Sequence, residues 1–158
     1  MRARSAAIAL LALAAACVAR AESGTLSVSA VVLSKSVCRI TGATTMTLAF
    51  GAIDAASTAN ATASITNTIR CLGSDSMATY SIVAGNGQNP LGAGNRRMRH
   101  ATIPTELLSY SLSITPSSAS IPKGSTQVIT ITGTITPPQF QDVRVGGYSD
   151  TVEITLNP

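Results

Sequence analysis

A two-residue alternation of apolar and polar side chains runs through this sequence and restricts it to β structure. In Thr151-Val152-Glu153-Ile154-Thr155-Leu156, one face collects Val152, Ile154 and Leu156 and the other collects the polar residues. That is the period of a half-buried strand. The same period places Leu26, Val28, Ala30 and Val32 on one face of the 25–33 segment, and Leu108, Tyr110, Leu112 and Ile114 on one face of 107–115. Further strands are predicted at 45–50, 61–71, 78–84 and 127–136. Between them lie turn-forming stretches: the Gly/Asn-rich 85–95, the turn-rich 116–124, Pro137-Pro138 and Gly146-Gly147. Short strands with turn chemistry at this spacing predict an all-β fold, an antiparallel sandwich. The last alternating segment closes the sequence, so one sheet edge is expected to stay uncovered. An open edge invites another chain.

The first residues have a different character. Met1-Arg2-Ala3-Arg4 is positively charged, 6–18 is a run of small apolar residues, and Ala19-Arg20-Ala21 supplies small residues before a cleavage point. This predicts a signal peptide over 1–21, cleaved after Ala21, and a secreted product. The alternatives are an uncleaved anchor, for which the apolar run is short, and a lipoprotein acylated at Cys17, for which the preceding Ala14-Ala15-Ala16 lacks the expected bulky residue. The remainder suits one domain at 35–158, preceded by the alternating segment within 22–34.

Cleavage changes the charge and the cysteine count. Arg2, Arg4 and Arg20 leave with the leader, so eleven basic residues become eight against seven acidic ones. The basic balance of the whole chain is therefore no argument for nucleic-acid binding. Three cysteines become two, Cys38 and Cys71, in a chain bound for an oxidising compartment, and a disulfide between them is expected. Two cysteines and one distant histidine make a poor zinc set, so neither metal nor cofactor is expected.

Catalytic chemistry finds little support. His100 is the sole histidine and follows Arg96-Arg97-Met98-Arg99, a cationic stretch expected to form a solvated loop with one arginine used structurally; the alternative is a ligand-binding patch. Asp54, Asp75, Glu106, Asp142, Asp150 and Glu153 are scattered, with no spacing that pairs two for acid–base work. Asp150, beside Tyr148, is expected to cap a turn or form a salt bridge. The 85–95 stretch lacks a phosphate-loop pattern. Asn60-Ala61-Thr62 matches a glycosylation sequon, a pattern common by chance.

Taken in order, these segments resemble the spore coat protein U domain, the pilin domain of archaic chaperone–usher fimbriae. The resemblance is carried by Leu48-Ala49-Phe50-Gly51, by the strand ending at Cys71, and by Gly85-Asn86-Gly87 followed by Arg97-Met98. It continues through Leu108-Ser109-Tyr110-Ser111-Leu112, Thr132-Gly133-Thr134-Ile135 with Gln139, and Gly147-Tyr148-Ser149-Asp150-Thr151-Val152. It implies an incomplete immunoglobulin-like sandwich lacking its last strand, completed by a neighbouring subunit's N-terminal strand. The donor would be the 23–33 segment with Leu26, Val28, Ala30 and Val32 inserted, and the acceptor groove would be lined by Val152, Ile154 and Leu156. The implied partners are identical or related pilin subunits, a periplasmic chaperone and an outer-membrane usher, with no nucleic acid or small-molecule substrate. The function that follows is non-enzymatic: a fimbrial subunit for adhesion and biofilm. The alternative is a spore-coat or surface-coat protein of the same fold that no usher assembles.

Overall fold

The computed structural model describes residues 27–31 and 36–158. The chain divides into two compact units, 1–31 and 32–158. Of the first, 27–31 are described; they form no strand and their side chains are exposed. The signal-peptide segment, Leu26 and Val32 lie outside the described residues.

The second unit is an antiparallel sandwich of two unequal sheets. Nine strands are described: β1 (Ser36–Ile40), β2 (Ala61–Gly73), β3 (Met77–Ala84), β4 (Arg96–His100), β5 (Leu107–Thr115), β6 (Ser118–Pro122), β7 (Thr126–Ile135), β8 (Tyr148–Ser149) and β9 (Ile154–Asn157). A four-residue helix, α1 (Pro137–Phe140), follows β7. The larger sheet runs β1-β2-β7-β5-β4-β8 and the smaller one β6-β3-β9. Every pairing is antiparallel. This is an incomplete immunoglobulin-like sandwich, because three strands cannot cover the inner face of six.

β2, β3, β5 and β7 form on predicted segments and bury the predicted faces, while the last alternating segment becomes strand only at β9, from Ile154. In β3, Ala78, Tyr80 and Ile82 are buried while Thr79, Ser81 and Val83 are exposed. In β7, Ile129, Ile131, Gly133 and Ile135 point inward. The core falls into two clusters. One, around Ile69, Cys71, Tyr80, Ile121 and Ile129, lies between the two sheets, with Ile154 and Leu156 packed against it. The other, around Met98, Leu108, Tyr110, Ile135 and Phe140, is covered by Phe50 and Ile53 from one segment and by Val143, Tyr148 of β8 and Val152 from another.

The expected disulfide is present, and its position has a simple cause. Antiparallel pairing of β1 with β2 sets Cys38 directly opposite Cys71, both buried, and the two are bonded.

Three readings of the sequence need correction. The 96–100 stretch is no loop: it is β4, with Arg96, Met98 and His100 buried and Arg97 and Arg99 facing out. His100, expected on the surface, is 6% exposed. Charge concealed the alternation, because arginine and histidine were counted as solvated when their polar atoms are satisfied inside. The turn-rich 116–124 contains β6. The 45–50 segment keeps its alternation, with Met46, Leu48 and Phe50 half-buried between exposed neighbours, yet belongs to no strand.

Candidate functional site: an uncovered groove

The unpaired 45–50 segment borders a cleft of about 1150 Å³. Its floor is the inner face of the larger sheet, including Ile65 of β2, Ile131 and Ile135 of β7, Leu108, Tyr110 and Leu112 of β5, and Met98 of β4. One wall is residues 44–53 and the other is 143–154. The smaller sheet stops at β9, an edge strand paired only with β3. The groove therefore joins an apolar floor to a wall segment that belongs to neither sheet and to the edge strand β9, the combination that accepts an added strand.

Side-chain packing holds the 44–53 wall. Leu48 and Phe50 lie over Gly133 of β7, where an added Cβ would come within 2.6 Å of Leu48 Cδ2 and of Phe50 Cζ. Any larger residue at 133 would push this wall off the sheet. Phe50 meets Tyr110 edge-on at 6.4 Å. The Asn67 amide, buried in β2, donates to the Ala43 carbonyl at 2.8 Å and to Met46 Sδ at 3.1 Å.

Polar contacts hold the opposite wall. Tyr110 reaches across the groove floor and its hydroxyl donates to Asp150 Oδ2 at 2.6 Å. Asp150 Oδ1 accepts the Gln88 backbone N–H at 2.8 Å, so Asp150 caps the 87–88 turn. Gly87, with φ of 77°, leaves space that the Asp150 carboxylate fills. Buried Arg96 donates from Nε to the Gly85 carbonyl and from its terminal nitrogen to that of Ala84, at 2.7 and 2.8 Å. His100 Nδ1 accepts the N–H groups of Thr102 and Ile103, so Nε2 carries the proton and donates to the Val145 carbonyl at 3.1 Å. The Tyr148 ring stands edge-on to His100, 4.9 Å between centroids. Of the buried polar residues of β4, His100 thus pins the 143–150 segment and Arg96 the 84–85 backbone, roles that sequence patterning does not reveal.

Tyr110 is sensitive to pH. Burial first, then the hydrogen bond to Asp150 and the charge of that carboxylate, push its hydroxyl above its ordinary value of 10.0. A folded-state value raised above the unfolded one contributes stability that is intact below pH 10 and lost as pH rises further. Tyr110→Phe is expected to cost about 1–2 kcal/mol at neutral pH, through the lost bond to a carboxylate. It should also flatten the alkaline decline; urea unfolding between neutral pH and pH 11 measures both.

Of the residues expected to line an acceptor groove, Val152 and Ile154 border the cleft. Leu156 stands opposite Ile82 in β9 and packs on the first core cluster. Among the expected donor residues, Val28 is 86% exposed and Ala30 is also exposed. Among the described residues no three His, Cys, Asp or Glu side chains gather as a metal site.

No curated protein matches the chain. Among solved structures, a chain from a chaperone–tip adhesin complex of CFA/I fimbriae has a similar fold, at 12% identity and a TM-score of 0.50. The match covers 77% of this chain and 41% of that one. At that identity the likeness is one of fold. The model of the Spore Coat Protein U domain matches residues 22–155. The chain belongs to the Spore Coat Protein U domain family.

Proposed function

We propose that this protein is a structural, non-enzymatic subunit of a secreted chaperone–usher fimbria that polymerises head to tail by donor-strand exchange. The observation that carries this reading is the groove: an apolar floor, a wall at 45–50 that belongs to neither sheet, and an edge strand β9. The alternating segment of 23–33 has the matching form, with Leu26, Val28, Ala30 and Val32 to fill the groove and main-chain groups to pair along its walls. Val152 and Ile154 would flank the inserted strand. Contact between unlike surfaces of successive copies does not close, so it generates a filament.

In this reading the signal peptide is removed after Ala21, a periplasmic chaperone fills the groove before assembly, and an outer-membrane usher releases the subunit to the cell surface for adhesion and biofilm growth. The likeness to a chain from a chaperone–adhesin complex agrees with a chaperone partner.

A synthetic peptide of residues 23–34 added to subunit lacking its own 22–34 tests the groove directly. At a hundredfold excess over its dissociation constant it should stabilise the subunit by about 2.7 kcal/mol, raising the melting temperature by roughly 10 °C. The same peptide with Val28→Asp should give no shift. Absence of any shift with the native peptide would sink the proposal.

A further inference from the structure

The outer face of the larger sheet carries a second pattern, unrelated to the groove. Register places Thr62 opposite Thr134, Ser64 opposite Thr132 and Thr66 opposite Thr130 across β2 and β7. It then places Thr134 opposite Ser111, Thr132 opposite Ser113 and Thr130 opposite Thr115 across β7 and β5. These nine residues form a grid of three hydroxyls on each of three strands, exposed or half-exposed and without a charge. Ser64 and Thr132 hydrogen-bond to each other at 3.0 Å, so their hydroxyls are held in place on the sheet surface.

At the β1–β2 end of the same sheet the face becomes cationic. Arg39 and Arg70 stand directly opposite each other, both exposed and both flanking the buried cysteine pair. Like charges at opposed positions, with Cβ atoms about 5 Å apart, repel. Arg70 uses Nε on the Gly124 carbonyl at 3.2 Å, which brings the turn bearing Lys123 beside it. The other described arginines are engaged. Arg96 binds the Ala84 and Gly85 carbonyls, Arg97 those of Asn89 and Pro90, Arg99 the Asn89 side chain, and Arg144 pairs with Glu106. Among the described residues no carboxylate makes an ion pair with Arg39, Arg70 or Lys123. Arg39, Arg70 and Lys123 thus stand near one another without a carboxylate in an ion pair, next to a field of neutral hydroxyls.

We infer that this face binds an acidic polysaccharide, with Arg39 and Arg70 taking a carboxylate or sulfate group and the Ser/Thr grid bonding to sugar hydroxyls. Paired guanidiniums offer the forked donors that such anions accept. Each serine or threonine hydroxyl both donates and accepts, as a sugar hydroxyl does. A single subunit presents the whole site, so the inference does not depend on polymerisation; repetition along a fibre would multiply a weak contact by avidity.

The test is affinity electrophoresis of the full-length secreted chain against polygalacturonate, heparin, neutral dextran and polyglutamate. Both acidic polysaccharides should retard it and dextran should not, and the effect should vanish as salt approaches roughly 0.5 M. Arg39→Gln with Arg70→Gln should weaken binding about tenfold. Thr66→Ala with Thr130→Ala should weaken polygalacturonate binding about threefold without changing polyglutamate binding. An unchanged thermal midpoint identifies these variants as folded. The inference is overturned if neither acidic polysaccharide binds at low salt, if the double arginine variant binds unchanged, or if dextran binds as well as polygalacturonate. Polyglutamate binding as tight as polygalacturonate would also overturn it, by identifying the site as one for acidic protein.

Discussion

Deletion of residues 22–34 should leave a folded subunit that forms no fibres. The described core needs nothing from that segment: both hydrophobic clusters, the disulfide and every sheet pairing lie within 36–158. What is lost is the strand that the donor-strand reading assigns to the next subunit's groove. Chaperone binding should survive, because the groove itself is intact. Val28→Asp in the full chain should behave in the same way, since a desolvated, unpaired carboxylate in an apolar groove costs several kcal/mol. Electron microscopy and denaturant-resistant laddering on gels report the outcome. Fibres of normal length and number from the deleted chain would end the donor-strand reading.

Replacing Cys38 and Cys71 together with serine should be the most destabilising change outside the groove. The bond spans a sequence separation of 33 and is buried on both sides. A loop of that size implies about 3–4 kcal/mol from restriction of the unfolded chain. Domains of this size commonly total about 5–15 kcal/mol. Burying two hydroxyls against Ile69 and Tyr80 adds to the loss. Urea titration of the oxidised protein and the variant should show a lower midpoint for the variant, with a somewhat steeper slope because its unfolded chain is less compact. Equal midpoints would mean that β1 is held by its ladder to β2 alone.

Much of this fold was legible because its strands alternate cleanly. β3, β5 and β7 each alternate apolar residues with Ser or Thr at period two, and the structure buries the faces that the period picks out. The failures have specific causes. β4 was hidden because Arg96 and His100 point inward, and no hydropathy pattern anticipates an arginine satisfied by two backbone carbonyls. β6 was hidden by its own Ser118-Ala119-Ser120, which has turn composition but pairs with β3. At 45–50 the alternation that predicts a strand is real, but a pattern does not say whether a partner strand is present. For the groove, Val152 and Ile154 were accessible to sequence reasoning. The floor residues Leu108, Tyr110, Leu112 and Ile131 look like ordinary core from sequence, because only topology reveals that three strands are set against six.

The pairing of Cys38 with Cys71 has a mechanical consequence. Tension applied between the two ends of the chain enters the sandwich at β1, the outermost strand of the larger sheet, and must cross the covalent bridge into β2. The intervening stretch is short-circuited. Even if every strand were pulled apart, about 115 Å of backbone could not be drawn out while the bond is intact. The bridge therefore caps how far one subunit can lengthen under load, and reduction should appear as a longer extension per unfolding event in a single-molecule pulling trace.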